Sequence, residues 1–414
     1  MKIKKITTSR SELVLYLCLA LFVLRDCLRV LLGDFVVSSR GWEFERYTSP
    51  LMSALGLGSI VLLIVYVLLF VNNRLPNRLR LVVYCIGFLS LAWTIHSLIT
   101  IPDYSVDSLD GTAKTIWICL LGLYIGYDES SWLNIKKLIP FLATLYMTIT
   151  FGYVIYIRFN GMWRQQLNEA PYWLTYSTAF WLLAYLALCN VNKTARENQR
   201  LLLLFLMNTF VVAFTISRGW LFQTFFLMSL YLTTSSSSKK YKFKLITVLF
   251  IILIIGFYVL HDELVLYLDS YIDKFQTGHS RETQYYAFFS QVDLKDLIVG
   301  KGEYASYVYK NNPNYIYIDN SFLYYAFHFG LLYSLTILLM ELFEAFKVLN
   351  VPRINAERNL GYVIIMWIIA LSGASVFCAG YEVSFRVLFV MILIGRAAFI
   401  SDMSQSILLK ASKY

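Results

Sequence analysis

Residues 261–320 read HDELVLYLDSYIDKFQTGHSRETQYYAFFSQVDLKDLIVGKGEYASYVYKNNPNYIYIDN. They are the one long polar interruption in a chain that is otherwise a series of apolar runs. Runs long enough to cross a bilayer stand on both sides of them. Flanked in this way, the stretch reads as a large loop carried by a membrane scaffold. Residues 1–414 then form a single membrane domain, with 261–320 as a loop within it.

The composition outside the loop agrees. Of 414 residues, 58% are hydrophobic and only 15% charged, against roughly 25% charged in soluble domains. Continuous apolar runs exclude a β-barrel, whose strands alternate. The expected fold class is all-α: a polytopic membrane protein of about twelve helices. The spans fall near 12–32, 51–71, 81–101, 113–127, 138–158, 174–191, 201–216, 219–234, 245–260, 321–341, 360–379 and 383–400. The first run passes Arg25 and Asp26 without a small-residue cleavage site, so it reads as an uncleaved span.

An even number of spans puts both termini on one side. The loops on that side hold most of the basic residues, among them Arg74, Arg78 and Arg80, Lys136 and Lys137, and Lys347 and Arg358. By the positive-inside rule that side is cytoplasmic, and 261–320 is extracytoplasmic. The net charge of +10 therefore reports topology and calls for no nucleic-acid partner. The six cysteines all lie in apolar runs and show neither metal spacing nor a disulfide framework.

Within the loop, Leu264, Leu268, Tyr271, Ile272 and Phe275 recur at helical spacing, predicting an amphipathic helix at the membrane surface. After Gly278, Ser280 is placed to cap a second helix running to Gln291, with Arg281 in its first turn. Gly300-Lys301-Gly302 and Asn311-Asn312-Pro313-Asn314 read as turns. Asp319-Asn320-Ser321 supplies N-cap chemistry for the tenth span.

Two arginines sit where an anionic group can be gripped. Arg218 follows Ser217 at the tight link between the seventh and eighth spans, and Arg281 lies in the loop. Guanidinium groups bind phosphate oxygens bidentately; the plainer reading is an interfacial and a solvated arginine. Asp319 is either a proton acceptor or a helix cap. Glu382, at the short turn before the last span, shares a helix face with Arg386; the pair is a candidate site pair, and its plainer reading is an interfacial ion pair. Asp26 and Arg29, three apart, are placed to neutralise one another. His328 reads as a hydrogen-bonded core histidine. Tyr304, Tyr307, Tyr309, Tyr315 and Tyr317 are denser than an aromatic belt requires, and their flat faces suit sugar rings.

The order of these features resembles that of the bacterial O-antigen and capsular polysaccharide repeat-unit polymerases (the Wzy type), which belong with the O-antigen ligases. The shared features are Ser217-Arg218 at a short outer turn, then one large loop with Arg281, Gly300-Lys301-Gly302 and Asp319-Asn320. A glycine follows one to two turns into the next span, here in Phe327-His328-Phe329-Gly330. The resemblance covers the C-terminal half. It implies a bundle similar to the GT-C-like polymerases and ligases, in the bacterial plasma membrane. It also implies transfer of a growing glycan from undecaprenyl diphosphate onto a lipid-linked repeat unit, without cofactor or metal. Arg218 and Arg281 would bind the diphosphate, Asp319 or Glu382 would act as base, and Asn320, Tyr304, Tyr315 and Arg386 would line the glycan. The partners implied are the lipid-linked oligosaccharide, the bilayer, and a chain-length regulator and flippase of the same pathway. The ligases carry histidine where this chain has Asp319, which counts against a ligase. A lipid-linked oligosaccharide flippase or other transporter fits the span count equally, but transporters show related halves with midplane sites, whereas the polar residues here gather at one level.

Overall fold

The computed structural model describes residues 9–32, 50–100, 112–159, 195–215, 279–302, 305–316, 318, 320–352, 356–372 and 385–411, with a few isolated positions between 184 and 247. The described chain is mostly helical, and three helices are long and apolar enough to cross a membrane: Asn77–Thr100, Glu129–Tyr156 and Phe385–Ile407. It divides into two compact units. One comprises Met1–Ile139, Leu335–Ile368 and Phe377–Tyr414, the other Pro140–Ser334 and Ile369–Val376.

The first unit is built on α1 (Arg10–Leu32), α2 (Pro50–Phe70), α3 (Asn77–Thr100), α4 (Thr112–Cys119), α5 (Leu121–Tyr127) and the start of α6 (Glu129–Phe159). The apolar run expected as one span at 113–127 is thus two helices that meet at Leu120. The α3 helix turns Leu81, Tyr84, Phe88, Leu91, Ile95 and Leu98 outward. Their spacing of three and four marks one face, the face a lipid-exposed helix presents. The helix spanning Phe385–Ala411 is the reverse: 78% of its apolar window is buried, against 22% for α3. It packs along α5, where Gly122, Gly126 and Gly395 remove the side chains that would hold the backbones apart. A Cβ on Gly122 would lie 2.6 Å from the Leu388 carbonyl oxygen, and one on Gly126 or Gly395 would overlap the Ile392 or Leu123 carbonyl. Small residues at this spacing are how apolar helices approach closely without a hydrophobic drive between them.

The second unit takes the rest of α6 and α7 (Ala195–Thr215), which meet through Val154, Val211 and Val212, with Phe151 against Phe210 at 5.0 Å. It also holds α8 (His279–Phe289), α9 (Leu294–Val299), a hairpin of β1 (Tyr307–Tyr309) and β2 (Asn312–Tyr315), and α10 (Ser321–Phe329). The helix expected from Ser280 starts at His279, so Ser280 lies inside it. The turn expected at 311–314 falls earlier. Lys310 and Asn311 take φ of 48° and 64° and close the antiparallel hairpin, leaving Asn312–Tyr315 as strand. Pro313 is tolerated there because β2 is an edge strand.

The tenth span is likewise in two pieces, α10 and α11 (Leu331–Leu349), broken at Gly330. Leu332, Leu335, Leu339, Phe343 and Phe346 form one exposed apolar stripe along α11. A 3-10 turn (Ala356–Asn359) and α12 (Leu360–Ser372) lead towards the last helix, α13 (Phe385–Ala411). The expected amphipathic helix at 264–275, and the spans at 174–191, 219–234 and 245–260 apart from isolated positions, lie outside the described residues.

Candidate functional site

The described residues of the loop form one module. Its core is Phe288, Val292, Ala305, Tyr307, Tyr309, Ile318 and Phe327, all buried. The Phe288 ring meets Tyr307 and Phe327 edge-on, at 5.2 and 5.1 Å. Of the tyrosines singled out in the sequence, Tyr307 and Tyr309 are core residues. Tyr315 is only half-buried. It packs on both, and its hydroxyl accepts from Gln284 Nε2 at 3.4 Å. Gln291 then ties α8 to the hairpin like a missing strand, accepting from Val308 N at 2.9 Å and donating to Val308 O at 3.0 Å.

The two glycine motifs interlock. Gly300, at φ 91°, ends α9, and Gly302, at φ 97°, turns the chain back. The Lys301 and Gly302 N–H groups donate to the Phe327 and His328 carbonyls at 2.8 and 2.9 Å, which satisfies carbonyls that a helix C-terminus otherwise leaves without partners. Gly330, at φ 90°, lets α10 end against α9: a Cβ there would lie 2.6 Å from the Val299 carbonyl oxygen. His328 closes the joint. Its Nδ1 donates to the Gly302 carbonyl at 2.9 Å, and its Nε2 lies 3.4 Å from the Ile316 carbonyl. The core-histidine reading is the one the structure shows.

At the other end of α10, Asn320 is the N-cap, its Oδ1 accepting from Leu323 N at 3.0 Å. The cap that the sequence assigned to Asp319-Asn320-Ser321 is made by Asn320. Arg281 occupies the first turn of α8, as expected, and the structure describes its backbone alone. Arg218, Tyr304, Asp319 and Glu382 lie outside the described residues.

Arg386 belongs to the first unit. It is buried within α13. Beside it, Phe385 stacks on Phe22 at 5.6 Å. The Arg25 guanidinium lies 5.3 Å from that same Phe22 ring. Gly56 lies beside it: a Cβ there would meet Arg25 Nη1 at 3.4 Å, an ordinary contact. Asp26, expected to pair with Arg29, has Arg25 Nη2 at 3.7 Å; the Arg29 side chain lies outside the described residues.

Sequence reasoning missed two ion clusters in this unit. Arg78 bonds Glu344 at 2.6 Å and Asp402 at 3.0 Å, while Lys347 bonds Asp402 at 2.7 Å. Farther along, Arg396 bonds Glu357 at 2.7 Å and also Glu129, and Lys136 joins Glu357. Trp132 Nε1 donates to Glu357 at 3.2 Å. Burial would push the Glu357 carboxyl up, but the charges of Arg396 and Lys136 outweigh it and hold it below the usual glutamate value. Several basic residues counted for topology are therefore neutralised structural groups. Their partners stand up to 324 residues away in sequence, so no local spacing announces them. The clearest local signal was the Glu344–Lys347 spacing on one helix face.

No known protein family, curated protein or solved structure matches the chain.

Proposed function

We propose that the chain is a polysaccharide polymerase, transferring a growing glycan from undecaprenyl diphosphate onto a lipid-linked repeat unit at the outer face of the bacterial plasma membrane. In this reading the chain has about twelve spans and both termini in the cytoplasm. The single observation that supports it is the interlock of the loop: the Arg281 helix, Gly300-Lys301-Gly302, Asn320 and Gly330 belong to one compact module. These are the features whose order carried the family resemblance.

The chemistry follows from the leaving group. A hydroxyl of the acceptor sugar attacks the anomeric carbon of the donor, forming the new glycosidic bond. The anomeric C–O bond to the diphosphate breaks, and its electron pair leaves with the diphosphate. Arg218 and Arg281 stabilise that developing charge. The hydroxyl proton passes to a carboxylate, Asp319 or Glu382. With the α10 cap supplied by Asn320, Asp319 is not needed for capping. Asn320, Tyr304, Tyr315 and Arg386 are the candidate glycan contacts.

The test supplies purified protein in lipid nanodiscs with one synthetic undecaprenyl-diphosphate-linked repeat unit. Longer lipid-linked products are expected, and Arg218→Ala or Arg281→Ala should abolish them while leaving membrane insertion unchanged. The runner-up, a lipid-linked oligosaccharide flippase, draws support from Glu341. That carboxyl is fully buried within α11, with Trp367 Nε1 donating to it at 3.1 Å, and intramembrane carboxyls mark ion pathways in transporters. Transport of the intact substrate across proteoliposomes, with no bond formed, would decide for it.

A further inference from the structure

The loop module has an apolar exterior as well as an apolar core. Leu294, Ile298 and Val299 of α9 are 73%, 52% and 60% exposed, a large share of a helix only six residues long. Leu294 and Ile298, four apart, lie on one face of that helix. Exposed apolar side chains clustered in this way mark a surface that meets another apolar phase.

The Gly330 joint identifies that phase. Because Gly330 meets the Val299 and Ile298 carbonyls directly, the end of α9 rests against the point where α11 begins. The first residues of α11, Leu331 and Leu332, are 39% and 60% exposed at that point. Leu332 opens the outward apolar stripe of α11, so exposed apolar residues of α9 and of the start of α11 stand on the two sides of the Gly330 joint. Lys295, between the apolar positions, is exposed, and its long stem lets the ammonium reach phosphate while the helix lies at acyl depth.

We propose that α9 is an interfacial anchor, its Leu294, Ile298 and Val299 side chains seated among the acyl chains of bulk phospholipid beside the start of α11. Helices of this kind bury their apolar face about 5–10 Å into the headgroup and acyl boundary. The anchor fixes the height of the whole module, and with it the α8 turn that carries Arg281, relative to the bilayer. It does not depend on the polymerase reading, since a transporter's loop would be held in the same way.

The experiment places the photocrosslinker p-benzoylphenylalanine at position 298, and separately at 294, in the full-length protein. A control carries it at 314, an exposed position on β2. Nanodiscs contain phosphatidylglycerol and phosphatidylethanolamine and no polyprenyl lipid. After irradiation, mass spectrometry should find phospholipid adducts on the peptides labelled at 298 and 294, at about tenfold the yield at 314. Equal yields at all three positions would overturn the anchor, as would crosslinks at 298 and 294 that join only to a second protein chain. Both test positions are exposed, so an unfolding profile matching the unsubstituted protein shows that the label has left the module intact.

Discussion

The α5–α13 contact and the loop module hold the chain together by opposite means. In the first, glycines bring two backbones together until the carbonyls of Leu388 and Ile392 occupy the places of absent side chains. In the second, bulky rings of Phe288, Tyr307 and Phe327 fill a core edge to face. The difference follows two sources of packing energy. Lipid is as apolar as leucine, so burying a side chain between membrane helices gains little over leaving it in lipid, and close backbone packing must supply the attraction. A core closed off from water gains about 25 cal/mol for each Å² of apolar surface removed, and large rings remove the most.

The comparison breaks most severely at Gly126. Replacing it by leucine sets a side chain against the Ile392 backbone, which no rotamer relieves. We expect a loss of at least about 4 kcal/mol, read as failure to recover a monodisperse protein in detergent. Gly152 is the internal control, because nothing lies within 4 Å of its Cβ position in α6. Gly152→Ala should be stabilising by up to about 1 kcal/mol through helix propensity alone. Equal behaviour of the two variants would remove backbone approach as the organising contact.

In the loop module the corresponding cut is Phe288→Ala, with an expected cost of about 3–4 kcal/mol. The loss should stay local: limited proteolysis should open the 279–320 region while the helical far-ultraviolet signal of the bundle persists. Simultaneous loss of both would show that the module does not unfold as a unit of its own.

Each region was legible in the sequence to a different depth. Continuous apolar runs located α1, α2 and α3 to within a few residues, because hydrocarbon thickness fixes span length, whereas α6, α11 and α13 run well past the spans expected for them. The loop's punctuation was readable too: Gly300, Gly302 and Asn320 have local jobs, a positive φ or a cap, that residue type alone suggests. Gly122 and Gly126 were invisible as contacts, although spaced four apart, because a glycine in an apolar run looks the same whether it meets lipid or another helix. The breaks at Leu120 and Gly330 were missed because hydropathy averages over them. Arg78–Asp402 and Arg396–Glu129 were missed because their partners lie in distant parts of the chain.

Glu357 makes the ion clusters testable by pH. Its carboxyl is held below the usual value by Arg396 and Lys136 against the opposing effect of burial. A carboxylate lowered in the folded state stabilises the fold above its unfolded value, and that contribution is lost as pH falls through the folded value. Unit 1 should therefore lose stability from about pH 4.5 downward. Glu357→Gln should cost about 2 kcal/mol at neutral pH, since it removes one partner of a largely buried pair. It should also flatten the acid limb of a thermal-shift profile. An acid limb of unchanged slope would assign the pH dependence to other carboxylates.

The smallest expected effect is the most informative about chemistry. Asn320 caps α10 through Leu323 N, and Asn320→Ala should cost about 1 kcal/mol. Asn320→Ser restores a capping oxygen and should recover most of it. If Asn320 also touches the acceptor glycan, the serine variant will regain stability without regaining polymer length, because a shorter hydroxyl cannot reproduce a two-headed amide contact. Recovery of both together would confine Asn320 to the cap. Asp319→Asn then provides the paired measurement: it keeps the side-chain length and removes the charge. It should leave thermal stability within about 0.5 kcal/mol, the range of ordinary surface substitutions, while abolishing transfer if Asp319 takes the acceptor proton. Polymer formed at an unchanged rate would move that role to Glu382.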